Sequence, residues 1–302
     1  MKSAPKHFNS ISTRWNFMLT GFFWVYTAIC VIPILLVLAV SFTDETTVVT
    51  YGYNLWPKEF SVYAYEFLFK DSGQIVNGYL VSIFVTVVGT FLVILLTALY
   101  AYPISRQDFP FKSFFSFIMF FTMLFGGGLV PTYLVFTKFL MLKNTIWALI
   151  VPLLIQPFYV IIMRTFFAGS LPPSVIESAR IDGAGEARTF FSIVLPLSLP
   201  VLATVGMFST LAFWNDWFNS LLYITNGNMV SLQYLMYKVM MNIQVLTNGN
   251  LAGFDVGGER AKIPSETVRM AMAIIGIGPI CLAYPYFQKY FVKGLTVGAV
   301  KG

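Results

Sequence analysis

Six stretches of this chain run without a single charged side chain: residues 16–43, 72–105, 113–137, 144–163, 189–215 and 270–288. Each is long enough for a helix to cross a hydrocarbon core, which takes about 18 residues or more. In that core only helices and closed barrels satisfy their own backbone amides. The composition agrees: the 302 residues are 57% hydrophobic and 11% charged, with mean hydropathy +0.75, against about 25% charged residues in soluble domains. The expected fold is an all-α membrane protein, one domain over 1–302, with six transmembrane helices near 16–43, 76–105, 113–137, 144–163, 194–215 and 268–288. A seventh charge-free run, 217–237, is set aside. Asn219, Asn226, Gly227, Asn228, Ser231 and Gln233 would strand polar groups in lipid there.

The basic residues set the orientation. Segments 1–15, 106–112, 164–192 and 289–302 hold 11 Lys and Arg with 4 acids, and the opposite side holds 8 with 9 acids. The first set is therefore expected in the cytoplasm, with both termini inside a multi-pass protein of the cytoplasmic membrane. The basic balance is then topology, and nucleic acid is not an expected partner. The first apolar run is about twice the length of a secretory signal core and reads as an uncleaved span. A short interfacial helix is expected near 61–70, where Tyr63, Tyr65, Phe67 and Phe69 suit the headgroup layer.

Composition argues against catalysis. The one histidine, His7, lies in the N-terminal tail, and Cys30 and Cys281 sit in apolar runs, so no triad, zinc cluster or disulfide framework can be built. No Gly-rich loop is followed by the Lys that would reach a phosphate, so the chain does not hydrolyse ATP itself. No ionisable group falls near the middle of any span, which argues against ion coupling.

Within the spans, Gly78, Ser82, Thr86, Thr90 and Thr97 share one helix face. Such a stripe serves close helix packing or lines a solute pathway. Gly126, Gly127, Gly128 and Pro131 weaken the third span near its outer end. The fourth carries Pro152, Gln156 and Pro157, and its lone amide is an interhelical hydrogen bond or a solute contact. The outer loop 214–266 holds WNDWFNS, two copies of TNGN and FDVGGER, and its length suggests docking.

The one long polar interval on the cytoplasmic side is PSVIESARIDGAGEARTFFSIVLP, residues 173–196. Ser174 and Glu177 have capping-box spacing behind Pro172 and Pro173, predicting a helix start. Gly183 and Gly185 permit a tight turn. Residues 186–195 read as a second helix running into the fifth span, with Phe190, Phe191, Ile193 and Val194 on its apolar side. The result is a helical hairpin along the membrane face, within a cytoplasmic segment 164–196.

In this interval Glu177, Ala179, Gly183, Ile193, Leu195 and Pro196 match the E-A-A, three residues, G, nine residues, I-x-L-P signature, with Ser178 replacing the second Ala. The sequence thereby resembles the permease subunits of bacterial ABC importers, over nearly the whole chain. FWNDWF and the C-terminal YFVKGLTVGAVKG are similar to the maltose-type carbohydrate permeases. GGGLVPTY and IIMRTFF look most like the branch importing oligosaccharides of complex polysaccharides such as alginate or pectin.

The resemblance implies a coupling hairpin, carried by Glu177, Ala179, Asp182, Gly183, Ile193, Leu195 and Pro196, seated on a separate ABC ATPase dimer that holds the ATP and Mg. It implies a second permease subunit, homologous but different, and a periplasmic or surface solute-binding protein docking on the outer loop. The C-terminal tail is either a loose end or an arm reaching the ATPase interface. Glu177 either caps its own helix or offers a carboxylate to an Arg of the ATPase. Gln156, Trp214, Asn215, Asp216 and Asn219 are the candidates for the oligosaccharide path, since sugars are held by planar polar groups and aromatic faces; the Trp pair would equally serve as an interfacial anchor. The alternatives are a secondary carrier or channel without an ATPase and, third, a membrane enzyme.

Overall fold

The computed structural model describes residues 12–70, 72–248 and 265–299. Fifteen α-helices and four short 3₁₀ or π-helical segments appear among them, and no strand beyond an isolated bridge between Thr43 and Phe60. The described chain divides into two compact units, one of residues 12–70, 243–248 and 265–275, the other of residues 72–242 and 276–299.

The first unit begins with α1 (Thr13–Ser41). Only 6% of its apolar window is buried, so a helix apolar on all sides meets lipid or another chain rather than its own core. Then come α2 (Glu45–Tyr51) and α3 (Tyr63–Phe69), the latter at the place expected for an interfacial helix. Asp44 caps α2, accepting from the Thr46 amide at 2.9 Å.

Glu45 reaches further and caps the start of α15 (Glu266–Ala299). Its carboxylate accepts from the amides of Ser265, Glu266 and Thr267 at 3.0, 3.0 and 2.9 Å, and from the Thr267 hydroxyl at 2.7 Å. Those amides are the unpaired donors at a helix N-terminus, where a negative charge also meets the helix dipole. Burial pushes the Glu45 carboxyl up, but these donors together hold it below the usual glutamate range.

The second unit is organised around α4 (Ser72–Ser105), which packs chiefly on α12 (Leu199–Trp214) and α8 (Pro157–Ser170). The stripe on α4 serves helix packing, against the helix that begins at Leu232 and against α12. Gly78 lies against the Leu232 backbone, the Ser82 hydroxyl accepts from the Leu232 amide at 2.8 Å, and Thr90 meets Thr210 at 3.2 Å. Thr86 and Thr97 are buried. Val93, Ala98, Ala101, Ile150, Val160, Met163 and Val205 fill the core between these helices.

α1 and α4 are each long and apolar enough to cross a membrane alone, and three further bent pairs reach that length together. The helix α5 (Lys112–Leu124) turns by 115° into α6 (Leu129–Leu134). The break is the Gly triplet, where Gly128 takes φ 81°, a left-handed conformation that suits Gly. Helix α7 (Trp147–Ile150), extended by a 3₁₀ turn to Leu153, bends by 53° into α8 between Pro152 and Pro157.

The third bend, of 79°, falls at Ser198 between Pro196 and Pro200. The second hairpin helix therefore does not run straight into the fifth span. It consists of α9's partner α10 (Glu186–Thr189), a π-helical turn Phe190–Val194 and α11 (Leu195–Leu197), following α9 (Pro173–Ile181), and α12 starts afresh. Each Pro withholds an amide from the preceding turn, which is why the helices end there.

The run 217–237 is cut into α13 (Phe218–Tyr223), a 3₁₀ turn Gly227–Met229 and the start of α14 (Leu232–Asn248). The sixth apolar run lies on α15. The sequence motif FDVGGER, the last residues of the second TNGN, and the ends of the chain, with His7, lie outside the described residues.

Two expectations follow. Phe213 is 3% exposed, and a Cβ on Gly89 would stand 2.5 Å from its ring. Gly89→Ala should cost about 1–3 kcal/mol, the usual penalty of overpacking, read as a lower unfolding midpoint in detergent, with Phe213→Leu in the same chain restoring part of it. For Glu45, a carboxyl depressed on folding contributes stability that is present above its unfolded pKa, about 4.3, and lost as pH falls through the lower folded value. Glu45→Gln should weaken amide protection at Ser265–Thr267 at pH 7 and remove part of the wild type's loss of stability as pH falls from about 4.3 through the lower folded value.

Candidate functional site

The polar interval folds as the hairpin the sequence predicts, but its start differs. The N-cap of α9 is Pro172, with no side-chain cap, and Ser174 and Glu177 make no capping box. The Ser178 hydroxyl bonds back to the Ser174 carbonyl at 2.8 Å. Pro173 in the first turn suits the start by itself, since that position needs no amide donor. Glu177 is exposed, and among the described residues its carboxylate meets no cation.

The turn explains the spacing of the motif. Ala184 donates its amide to the Ala179 carbonyl at 2.9 Å and Gly183 to Arg180 at 3.0 Å, the paired bonds of a Schellman helix end with the left-handed residue four positions after the first acceptor. That residue is Gly183, at φ 75°. Ala179 is buried and Gly185 is extended, at φ −70°, so only one of the two glycines is conformationally required. Ile193 lies in the π-helical turn, half-buried like Leu195, while Asp182 and Pro196 are exposed. The wide turn stands immediately before the residue pair Leu195 and Pro196, where proline supplies no amide for a regular helix. At the tip of the hairpin Ile181 is 86% exposed, an apolar side chain held out between Arg180 and Asp182.

A cluster that sequence reading does not reveal ties this hairpin to the end of α4. Arg106 grips Asp108 with both arms of its guanidinium, Nε to Oδ1 at 2.8 Å and Nη2 to Oδ2 at 2.5 Å, and bonds Glu186 through Nη1. Arg180 reaches Asp108 at 2.8 Å and Glu186 at 3.1 Å. Tyr102 stands beside them, its hydroxyl 3.2 Å from Arg106. The hydrogen bond from Arg106 holds the Asp108 carboxyl below its ordinary range, and the Arg106 guanidinium is raised in turn by Asp108. The partners are 72 and 80 positions apart in the chain, so no local pattern marks them. The only sequence signal is that the loop after α4 and the hairpin each carry both signs of charge.

Cavities flank the cluster. One of about 540 Å³ is lined by Leu99, Tyr102, Phe109, Ala187, Phe190 and Phe191 with the four charged residues. Another of about 330 Å³ is lined by Ser105, Phe167, Pro173, Ile176 and Glu177, among others.

The candidates for a solute path divide. Trp214 is 4% exposed and donates its indole N–H to the Gly276 carbonyl at 2.9 Å. Asp216 accepts from the amides of Phe218 and Asn219, at 3.2 Å each, and from the Asn219 side chain at 2.8 Å, so these two build the start of α13. Asn215 is exposed, its amide on the Leu211 carbonyl. Gln156 stands apart at the break before α8, half-buried and with no side-chain partner among the described residues. Nearby on the same helix Tyr159 stacks on Phe208 of α12, ring centres 6.4 Å apart and planes 8° off parallel. Trp217 stacks on Tyr237 at 4.4 Å. At the other end of the bent fourth span Asn144, at φ 59°, holds the first TNGN, accepting from the Thr225 amide at 2.6 Å.

A family model for the inner membrane component of binding-protein-dependent transport systems matches residues 10–297. The chain belongs to that family. It is a membrane-embedded permease subunit of the ABC-importer type and no enzyme; in this family the ATPase is a separate chain. That excludes the carrier, channel and enzyme readings as the principal role. Similar proteins include the polygalacturonan/rhamnogalacturonan transport system permease protein YtcP of Bacillus subtilis, 38% identical over 95% of this chain and 98% of the relative. Protein LplC of the same organism is 38% identical over 91% and 90%. Among solved structures, a bacterial ABC transporter involved in import of the acidic polysaccharide alginate has a chain superposing with TM-score 0.76 at 25% identity, covering 95% of this chain and all of that one. The multi-pass, all-helical permease fold expected from the apolar runs is thereby shown.

The left-handed turn gives a direct test. A Cβ on Gly183 would meet nothing within 4 Å, so substitution there acts through backbone strain alone, about 1–2 kcal/mol for an ordinary residue. Gly183→Val should open the hairpin to trypsin at Arg180 and Arg188 in membranes exposing the cytoplasmic face, while Gly183→Asn, tolerant of left-handed backbone, should stay resistant.

Proposed function

We propose that this chain forms half of the translocation pathway of an ATP-driven importer for an oligosaccharide released from a uronate-rich polysaccharide, and that the 173–196 hairpin couples it to the ATPase. The observation that carries the reading is the hairpin itself: a Schellman turn at Gly183 presenting the bare Ile181 and the unpaired Glu177 within a chain of this family. An exposed apolar tip beside a free carboxylate suits a groove that buries the one and bonds the other through an Arg. Asp182, Ile193, Leu195 and Pro196 shape the same elbow.

Six spans form the membrane part, with both termini and the hairpin in the cytoplasm, as the distribution of Lys and Arg supports. The partners are an ABC ATPase dimer carrying ATP and Mg, a second and homologous permease chain, and a solute-binding protein that meets the outer loop 214–266. The nearly unburied α1 supports a subunit that meets another chain or lipid along its length. In the pathway Gln156 and Asn215 contact the sugar, while Trp214, Asp216 and Asn219 hold the wall behind them. An irregular backbone at membrane depth is tolerated where it lines protein or water, and the break beside Gln156 is such a place. The acidic character of the sugar follows the two relatives whose names carry polygalacturonan and alginate.

In vesicles holding the complete transporter, Glu177→Ala should leave insertion intact while ATP hydrolysis continues with uptake of oligogalacturonate reduced about ten-fold, the scale of one charge-assisted bond. Unchanged uptake would remove the coupling role, and uptake of neutral oligosaccharides alone would remove the acidic substrate.

A further inference from the structure

We propose that Arg106, Asp108, Arg180 and Glu186 form a latch that makes the hairpin and the cytoplasmic end of α4 move as one body, delivering a displacement of the hairpin straight to the second span. The inference rests on the reading that the hairpin receives the ATPase's displacement.

The need for such a tie comes from the hairpin's own connections. Towards the fourth span it leaves α8 through Leu171, in extended backbone at φ −91° and ψ 117°. Towards the fifth it meets the 79° bend at Ser198. Both are breaks in helical hydrogen bonding, and such element-end positions absorb changes of φ and ψ. A push delivered through them alone would be taken up at the hinges. By contrast, α4 is an unbroken helix of 34 residues packed along both α8 and α12. Whatever moves its end moves the core of the unit.

Packing alone does not join hairpin and α4. The apolar contact across the junction is that of Tyr102 with Phe190, ring centres 5.3 Å apart, and cavities of about 540 and 330 Å³ flank it. Beyond that contact the tie is charge. Arg106 is the hub: its side chain is 13% exposed, against 51%, 45% and 59% for Asp108, Arg180 and Glu186. It is bound two-pronged by Asp108, a geometry that fixes direction as well as distance. An exposed ion pair alone contributes little, but a poorly hydrated guanidinium stripped of a partner is costly, so the four charges hold together as a set. The set is self-neutral, two cations with two anions, and requires no outside ion.

The test uses the complete transporter in vesicles, with spin labels at Gln107 and Ser178, both exposed and neither in the latch. In the wild type the distance between labels should be the same without nucleotide and with ATP trapped. Glu186→Gln should broaden that distance and raise the ATP consumed per sugar by about five-fold or more, the scale of a partly exposed charged hydrogen bond; Glu186→Asp should restore most of the coupling, which a merely structural role would not predict. If Glu186→Gln fails to assemble, Arg180→Gln on the exposed side is read in the same way. A wild-type distance that changes with nucleotide overturns the latch, as does an unchanged distance or an unchanged ATP-to-sugar ratio in the variant. If Glu177→Ala also leaves that ratio unchanged, the coupling role of the hairpin fails; if only the latch variants leave it unchanged, the latch alone fails.

Discussion

Hydrocarbon leaves no backbone amide without a partner unpunished, and that constraint governs this fold. Where the chain keeps its helical ladder, as in α1 and α4, it can stand against lipid on any side. Where it breaks, at the Gly triplet, before Gln156 and at Ser198, the freed groups need protein or water. Gln156 has a half-buried side chain with no partner among the described residues, beside such a break. An amide placed like that belongs at a boundary between subunits or along an aqueous path, because lipid would solvate neither the side chain nor the backbone next to it.

The hairpin lies outside the apolar core and is held by other means. Local chemistry supplies one, the Schellman turn around Gly183, and long-range charge the other, the cluster on Arg106. The first is built from neighbours in the sequence, the second from residues up to 80 positions apart. The same division appears in the first unit, where Asp44 caps its own helix and the adjacent Glu45 caps one more than 200 positions away.

The apolar runs were legible because a membrane filters on hydrophobicity summed over a helix length, a property of consecutive residues. The short helix α3, the breaks at Gly and Pro, and the hairpin with its Gly183 turn were legible because each is set within a few residues. The supposed capping box at Ser174 and Glu177 was not: the spacing was right, but the helix begins at Pro173, before Ser174. The straight passage from hairpin to fifth span also failed, because Pro196 and Pro200 together end one helix and start another. On α4 the small-residue stripe admitted two readings, and contacts with Leu232 and Thr210 decide for packing at Gly78, Ser82 and Thr90.

By itself the sequence determined that this is a helical membrane protein without catalytic chemistry, with a motif-bearing elbow on one side. Those properties are additive along the chain or set within a few residues. Only the tertiary structure decided that Trp214, Asp216 and Asn219 are engaged with their own surroundings, that Gln156 is not, and that Arg106 gathers Asp108 and Glu186 with Arg180 close by. Which donor finds which acceptor depends on how separate helices pack, and a sum over neighbours along the chain carries no record of that.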